Sequence, residues 1–193
     1  MSYLRGSLEA MKMKTLKLYI SIIISAGLLS CGSSKTVTQA QIDALDQLVQ
    51  SKHFKIESDW AYPMTTNAMQ QVLNSGLLGP GSSAGGINLI GNPNELTITG
   101  DSISSYLPYF GERQMQVDYG GDDTSIKFNG LMESYKVEPI KNHSYEISFK
   151  AKSKSETFDV YITVSPSLRS TIVLNSATRH PIRYSGTVGA LKE

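Results

Sequence analysis

The 193-residue chain has a single cysteine, Cys31, so it can form no intrachain disulfide. After Cys31 it also lacks any apolar run of about 20 residues, the length of a helix that spans a membrane. Its 18 basic and 17 acidic residues are nearly balanced and form no basic patch of the kind that binds nucleic acid. We therefore expect no nucleic-acid partner, and a fold that depends on hydrophobic packing.

The cysteine follows a basic segment and then an apolar one. Three lysines precede the uncharged stretch from Leu18 to Leu29. This stretch is too short to span a membrane but is typical of the apolar core of a secretory signal. The four residues that end at Cys31, Leu-Leu-Ser-Cys, resemble the lipobox of bacterial lipoproteins. The resemblance implies that diacylglycerol is attached to Cys31, that the chain is cleaved before it, and that the new amino terminus receives a fatty acid such as palmitate.

The alternative for Cys31 is a free thiol in an uncleaved N-terminal anchor. An unpaired thiol in an oxidising compartment is reactive, whereas lipidation consumes it, so the order of segments favours the lipoprotein. We expect a signal peptide over residues 1–30, a lipid-anchored tether over 31–37 and a single domain over 38–193. Loss of the signal removes four basic residues and one acidic residue, which changes the net charge from +1 to −2.

The residue after the cysteine bears on the expected location. Gly32 stands where an aspartate would retain a lipoprotein in the inner membrane of enteric bacteria. No acidic cluster of the kind associated with surface export follows it. By this resemblance we expect the protein at the outer membrane, facing the periplasm, with the membrane as a partner through the lipid anchor.

The period of the apolar residues indicates the fold class. Thr38 and Gln41 form a capping-box pattern, and the apolar residues after them recur at helical spacing, which predicts a helix over 39–52. A short second helix is predicted over about 66–74. From residue 54 the period changes to two, and alternating runs return about every ten residues with turn residues between them. The sequence predicts a mainly β fold, an antiparallel sandwich or small barrel, with the N-terminal helix over one end or an open edge.

The first of these runs, residues 54–62, contains the only tryptophan. Strict alternation places Trp60 on the same side as Phe54 and Ile56. We therefore expect Trp60 in the core, where its truncation to alanine would cost about 3–5 kcal/mol.

The stretch YLPYFGERQM is the most unusual in the chain, because aromatic residues surround a proline and a glycine and two charged residues follow. In a functional interpretation it forms an aromatic-lined mouth with a carboxylate and a guanidinium directed at a ligand. In a structural interpretation the aromatics close one end of the core, which is the commoner role of aromatic residues in β-proteins. The candidate ligand-binding residues are Tyr106, Tyr109, Phe110, Glu112 and Arg113.

The sequence predicts no cofactor, no metal site and no catalytic residue. The three histidines have no ligand spacing to one another. The glycine-rich GPGSSAGG lacks the helix that must follow a dinucleotide-binding loop, and no nucleophile–base pair is visible.

Two functions remain open. The first is non-catalytic binding of a small apolar ligand or an envelope protein. The second is hydrolysis of envelope glycans or peptides by carboxylates such as Asp59, Glu112 and Asp101.

Four segments carry a family resemblance: SKHFKIESDWAYPM, INLIGN, GDSISSYLPYFGERQM and NSATRHPIRYSGTV. Together they resemble an uncharacterised family of predicted lipoproteins from Bacteroidota, known as domain of unknown function 4251, over about residues 40–190. The most specific pieces are the GD…YLPYFG run and an R-x-x-I-x-Y-x-G pattern formed by Arg179, Ile182, Tyr184 and Gly186. The family implies a lipoprotein location. It has no established activity, so it assigns no catalytic residue.

The lipidation of Cys31 can be tested directly. Cys31→Ala removes the thiol that accepts diacylglycerol, so the precursor should stay uncleaved and labelled fatty acid should be absent from the mature band. Gel mobility and fatty-acid labelling in cells measure both effects. Equal labelling of wild type and variant would contradict the lipoprotein prediction.

Overall fold

The computed structural model describes residues 37–75, 80–83, 85–112, 114, 125–154 and 156–191. Within them α1 spans Gln39–Ser51 and α2 spans Asn67–Asn74. The strands are β1 His53–Pro63, β2 Ile87–Asn88, β3 Glu95–Thr99, β4 Ser102–Tyr106, β5 Asn129–Leu131, β6 Glu133–Ile140, β7 Ser144–Ser153, β8 Glu156–Val164, β9 Arg169–Ser176 and β10 Ile182–Ala190. The predicted signal, Cys31 and the predicted tether lie outside the described residues, except for Val37.

All paired strands are antiparallel, in the order β5-β4-β3-β1-β10-β9-β8-β7-β6, with β2 beside β1. β5 and β6 are at opposite ends of this order, yet only Met132 separates them in the chain. The two edges of the sheet must therefore approach each other. Close to this seam, the N–H of Lys127, just before β5, donates to Ser153 Oγ at the end of β7 at 3.1 Å. The sheet is nearly closed and barrel-like. The predicted fold class is confirmed, and of the two forms that the sequence left open the chain adopts the barrel-like one.

Apolar side chains from alternate positions of the strands fill the inside of this sheet. Phe54, Phe128, Phe158 and Tyr184 are almost completely buried, and the rings of Phe128 and Phe158 meet edge to face with centroids 5.6 Å apart. Aromatic pairs of this geometry add to the stabilisation from burial alone. The interior is a packed core, which is the usual content of small barrels.

α1 begins as its sequence predicts. Gln41 N–H donates to Thr38 Oγ1, and Thr38 N–H donates to Gln41 Oε1 at 3.0 Å, which completes the capping box. The apolar face of the helix buries Leu45 and Val49 against the sheet. Neither helix of the described residues is long and apolar enough to cross a membrane.

α1 contacts both sides of the seam between the sheet edges. Lys52, which follows the helix, forms a 2.9 Å ion pair with Asp101 in the β3–β4 turn, and its ammonium lies 4.5 Å from the centre of the Tyr135 ring on β6. On β7, the Tyr145 hydroxyl donates to Asp46 Oδ1 at 2.9 Å. The helix thus covers the part of the sheet where strand pairing is incomplete.

β1 contains a β-bulge that changes which of its residues face inward. Ser58 pairs with Gly186, but Trp60 pairs with Ser185, so β1 has one extra residue at this point. An extra residue reverses the alternation of side chains after it. Ala61 is therefore buried, and Trp60 is only partly buried on the outer side. The prediction that Trp60 lies in the core is wrong, because strict alternation does not hold across the bulge.

The bulge depends on Gly186. A Cβ atom at this position would overlap the Glu57 carbonyl oxygen and would lie 2.6 Å from Ser58 Cα, so only glycine lets β10 approach β1 this closely. The Ser58 N–H at the bulge donates to Asn94 Oδ1 at 2.7 Å, so a side chain replaces a strand partner. Glycine inside a strand often marks such an approach.

Gly186→Ala should strongly destabilise the domain, because the added methyl group has no space between β10 and β1. We expect a loss of about 1–3 kcal/mol or more in the free energy of unfolding. Gly189→Ala, in the same strand, is the matched control, since no atom lies within 4 Å of its Cβ position. Urea unfolding of both variants measures the difference. Equal stability of the two would contradict the importance of the close approach.

Candidate functional site

One end of the sheet contains a buried ion pair. At this end, which we call the upper end, β1 finishes at Pro63 opposite Ile182, where β10 begins. Arg179 Nε lies 2.7 Å from Glu156 Oε2 and Arg179 Nη2 lies 3.2 Å from Oε1, with both side chains only 6% exposed. Two parallel hydrogen bonds are the geometry in which a buried guanidinium and carboxylate best offset their loss of hydration. Within the fold, the positive charge of Arg179 and the negative charge of Glu156 therefore offset each other.

The aromatic run closes the upper end around this pair. The Tyr109 ring lies 4.9 Å from the Arg179 guanidinium carbon, and its hydroxyl lies within hydrogen-bonding distance of the carbonyl oxygens of Glu112 (2.9 Å) and His180 (3.0 Å). The Tyr184 hydroxyl donates to the Pro108 carbonyl oxygen at 2.8 Å. These bonds connect the run after β4 to the β9–β10 loop and to β10.

Burial raises the pKa of the Tyr184 phenol. Loss of hydration is the main cause that raises the pKa of Tyr184, and the phenol of Tyr109 adds to this, while the Arg179 cation acts in the opposite direction. The phenol therefore stays a hydrogen-bond donor in the folded state. Because the folded pKa is above the unfolded value of about 10, its contribution to stability is present below that pH and declines as the pH rises above it.

The residues predicted to form an aromatic mouth occupy two separate places. Tyr109 is buried at the upper end, where Phe110 and Glu112 line a shallow depression of about 240 Å³ beside α2. Glu112 accepts a hydrogen bond from the hydroxyl of Thr66, the N-cap residue of α2. Tyr106 is 37% exposed and lines a different groove. Arg113 lies outside the described residues.

The groove beside Tyr106, which we call the Tyr106 groove, is about 470 Å³ and is lined by residues 57–59, 89–95 and 106. It contains three carboxylates, each with a nearby cation. Lys55 Nζ lies 2.5 Å from Glu57 Oε1 and 3.6 Å from Glu95 Oε2. Arg169 Nη1 lies 3.2 Å from Asp59 Oδ2. The groove is open to solvent.

A second groove, which we call the Tyr62 groove, is about 450 Å³ and is lined by residues 62–65, 85–86, 173 and 181–183. The alternation of the sequence does not predict this groove, because without a bulge it directs Tyr62 inward. The available signal was Gly186, since glycine in a strand interior indicates a bulge or a close backbone approach.

The residues proposed for hydrolysis do not converge. Asp101 pairs with Lys52 at the start of β1, whereas Glu112 bonds to Thr66 beyond its end, about 30 Å away along an 11-residue strand. Asp59 lies between these positions, in the Tyr106 groove. Among the described residues, no three histidine, cysteine, aspartate or glutamate side chains lie close enough to hold a metal ion.

Removing one partner of the buried ion pair should be costly. Glu156→Gln removes the carboxylate charge beside the buried Arg179 guanidinium, and we expect a loss of about 3–5 kcal/mol in the free energy of unfolding. Asp159→Asn, which breaks an exposed pair with Lys150, should cost at most about 1 kcal/mol. Urea unfolding compares the two variants. The double variant Glu156→Leu/Arg179→Met should recover much of the loss, and a double variant less stable than Glu156→Gln would contradict this account.

Both the sequence and the fold of this chain are similar to those of known proteins. The sequence profile of the family described as "Domain of unknown function (DUF4251)" matches residues 36–188. The structure is similar to the crystal structure of a DUF4251 family protein from Bacteroides eggerthii, with a TM-score of 0.51 and 11% sequence identity over 78% of this chain and 88% of that chain. No curated protein matches the chain. The family match covers most of the sequence, and the chain therefore belongs to the DUF4251 family.

Proposed function

We propose that the protein is a lipid-anchored component of the bacterial outer membrane whose β-domain binds a ligand or an envelope protein without catalysis. The observation that carries this proposal is the packed interior of the sheet. Because apolar side chains fill the inside, a ligand must bind at the outer surface, where the Tyr62 and Tyr106 grooves are open. Both volumes lie in the range of small-molecule sites, about 300–1,000 Å³.

The pairing of the charged groups supports binding rather than catalysis. Glu156 is held by Arg179, Asp59 by Arg169 and Asp101 by Lys52. These three carboxylates lie in different parts of the fold, whereas most glycosidases place two carboxylates on either side of one bond. The ion pairs instead fix loops and strand ends.

The proposal combines the predicted lipid anchor at Cys31 with the exposed apolar surface of the β-domain. The lipobox at Cys31 would hold the domain at the membrane, with the residues before Thr38 as a short tether. An apolar contact is available in the depression formed by Phe110 with Met69 and Val72 of α2, and Val72 is 41% exposed. A small apolar ligand or an envelope protein could use this depression together with a neighbouring groove.

Photocrosslinking in native membranes tests the proposal. A benzophenone side chain placed at Met64 reports on the Tyr62 groove, and one at Ile90 reports on the Tyr106 groove; both native residues are exposed. The control position is Tyr161 on β8, which is exposed and lines neither groove. We expect defined adducts from one or both groove positions and none from Tyr161. Absence of adducts at both groove positions, or the same adducts at all three, would contradict a binding role.

The three carboxylates of the Tyr106 groove are the observation that favours the alternative, a carboxylate-dependent hydrolase. In most glycosidases two carboxylates flank the scissile bond. Turnover of envelope glycans or peptides by the purified protein, lost in Asp59→Asn, would favour this alternative over a binding module.

A further inference from the structure

The outer side of β1 after the bulge presents an arginine in a fixed position. Tyr62 and Arg183 are cross-strand partners in β1 and β10, and the Arg183 guanidinium carbon lies 4.3 Å from the centre of the Tyr62 ring. The Tyr62 hydroxyl lies 3.3 Å from Ser185 Oγ, and Gly86 is so close to the ring that a Cβ there would be 2.9 Å from Tyr62 Cε1. Ser185 and Gly86 thus restrict the position of the Tyr62 ring, and the ring in turn supports the Arg183 guanidinium.

Stacking on an aromatic ring uses the flat face of a guanidinium and leaves the N–H groups around its edge available. Two other arginines of the described residues use these groups for carboxylates, Arg169 for Asp59 and Arg179 for Glu156. No carboxylate of the described residues forms an ion pair with Arg183. Arg183 is thus a positioned cation in the lining of the Tyr62 groove.

Part of the remaining wall of the groove is apolar. Pro63, Met64, Pro181 and Val173 line it, and Met64 is 51% exposed. Among the described residues that line the groove, Arg183 is the only one with a charge. An apolar surface beside a single guanidinium suits a molecule that has one negative charge and an adjoining apolar group.

We propose that the Tyr62 groove binds an organic carboxylate, with the carboxylate on the edge of Arg183 and the apolar part against Pro63 and Met64. This inference rests on the proposed binding function and names its ligand class. A guanidinium matches a carboxylate with two parallel hydrogen bonds. One cation balances one carboxylate charge, whereas a phosphate group carries up to two charges. The carboxylate could belong to the C-terminus of a peptide or to a fatty acid.

Trp60 provides the signal for a binding test. It is the only tryptophan in the chain, and a Cβ at Gly86, in the wall of the groove, would lie 3.4 Å from its Cε3 atom. Fluorescence of the full chain in a nonionic detergent can therefore be titrated with N-acetyl-leucine, which resembles a peptide C-terminus, and with hexanoate, which resembles a fatty acid. The matched neutral probes are N-acetyl-leucinamide and 1-hexanol. Ligands of this size typically reach a Kd of about 1 mM.

We expect a saturable fluorescence change with at least one acid, and binding of the matched neutral probe that is weaker by about tenfold or more. The acid that binds more tightly identifies the source of the carboxylate. Arg183→Gln should remove the preference for the acid, and Arg183→Lys should restore it only in part, since lysine lacks the planar pair of donors. Arg169→Gln, which changes an arginine outside this groove, is the control and should retain the wild-type preference.

Two results would overturn the inference: no saturable response to either acid, or a preference for the acids that persists in Arg183→Gln. Photocrosslinking distinguishes these results from failure of the proposed binding function. If Met64 or Ile90 still gives defined photoadducts that Arg183→Gln does not change, the protein is a binding module and only the ligand class is wrong. If the acids bind as expected but no photoadduct forms, the groove is a carboxylate site and the proposed role in the envelope fails.

Discussion

The close approach of β10 to β1 at Gly186 is the constraint on which the outer surface depends. It permits one extra residue in β1, and this residue reverses the side chains that follow. Ala61 then fills the core, while Trp60 and Tyr62 face outward. A methyl group at Gly186 would thus affect packing inside the sheet and the shape of a groove outside it. Bulges are common next to functional sites because they redirect side chains without interrupting a sheet.

The residues of the R-x-x-I-x-Y-x-G pattern serve mainly to hold the fold. Arg179 pairs with Glu156 in the core, Tyr184 bonds to the Pro108 carbonyl, and Gly186 permits the bulge. In the aromatic run, Tyr109 joins its own segment to the β9–β10 loop. A recognisable sequence pattern can therefore mark structural requirements, and function must be sought at the positions that these requirements leave open on the surface.

Closure of the sheet explains why binding is expected outside it. Met132 alone separates the two edge strands, so the sheet curves until its edges approach, and the enclosed space is small enough for side chains to fill. α1 covers the seam through Lys52 and Asp46. The Tyr106 groove lies where strand pairing on one side of β1 is interrupted, since pairing with β3 ends at Ile56 and pairing with β2 begins at Trp60.

The sequence by itself determined the class of fold and its local elements. The capping box set the start of α1, and the change of period set the strands, because these features depend on neighbouring residues. It also supplied the candidate residues Tyr106, Tyr109, Phe110 and Glu112, but not their separation into two places. Only the tertiary structure decided that Trp60 faces outward, that Arg179 meets Glu156, and that Tyr62 supports Arg183. Each of these contacts joins residues far apart in the chain, and the bulge that directs Trp60 and Tyr62 exists only when β10 lies against β1.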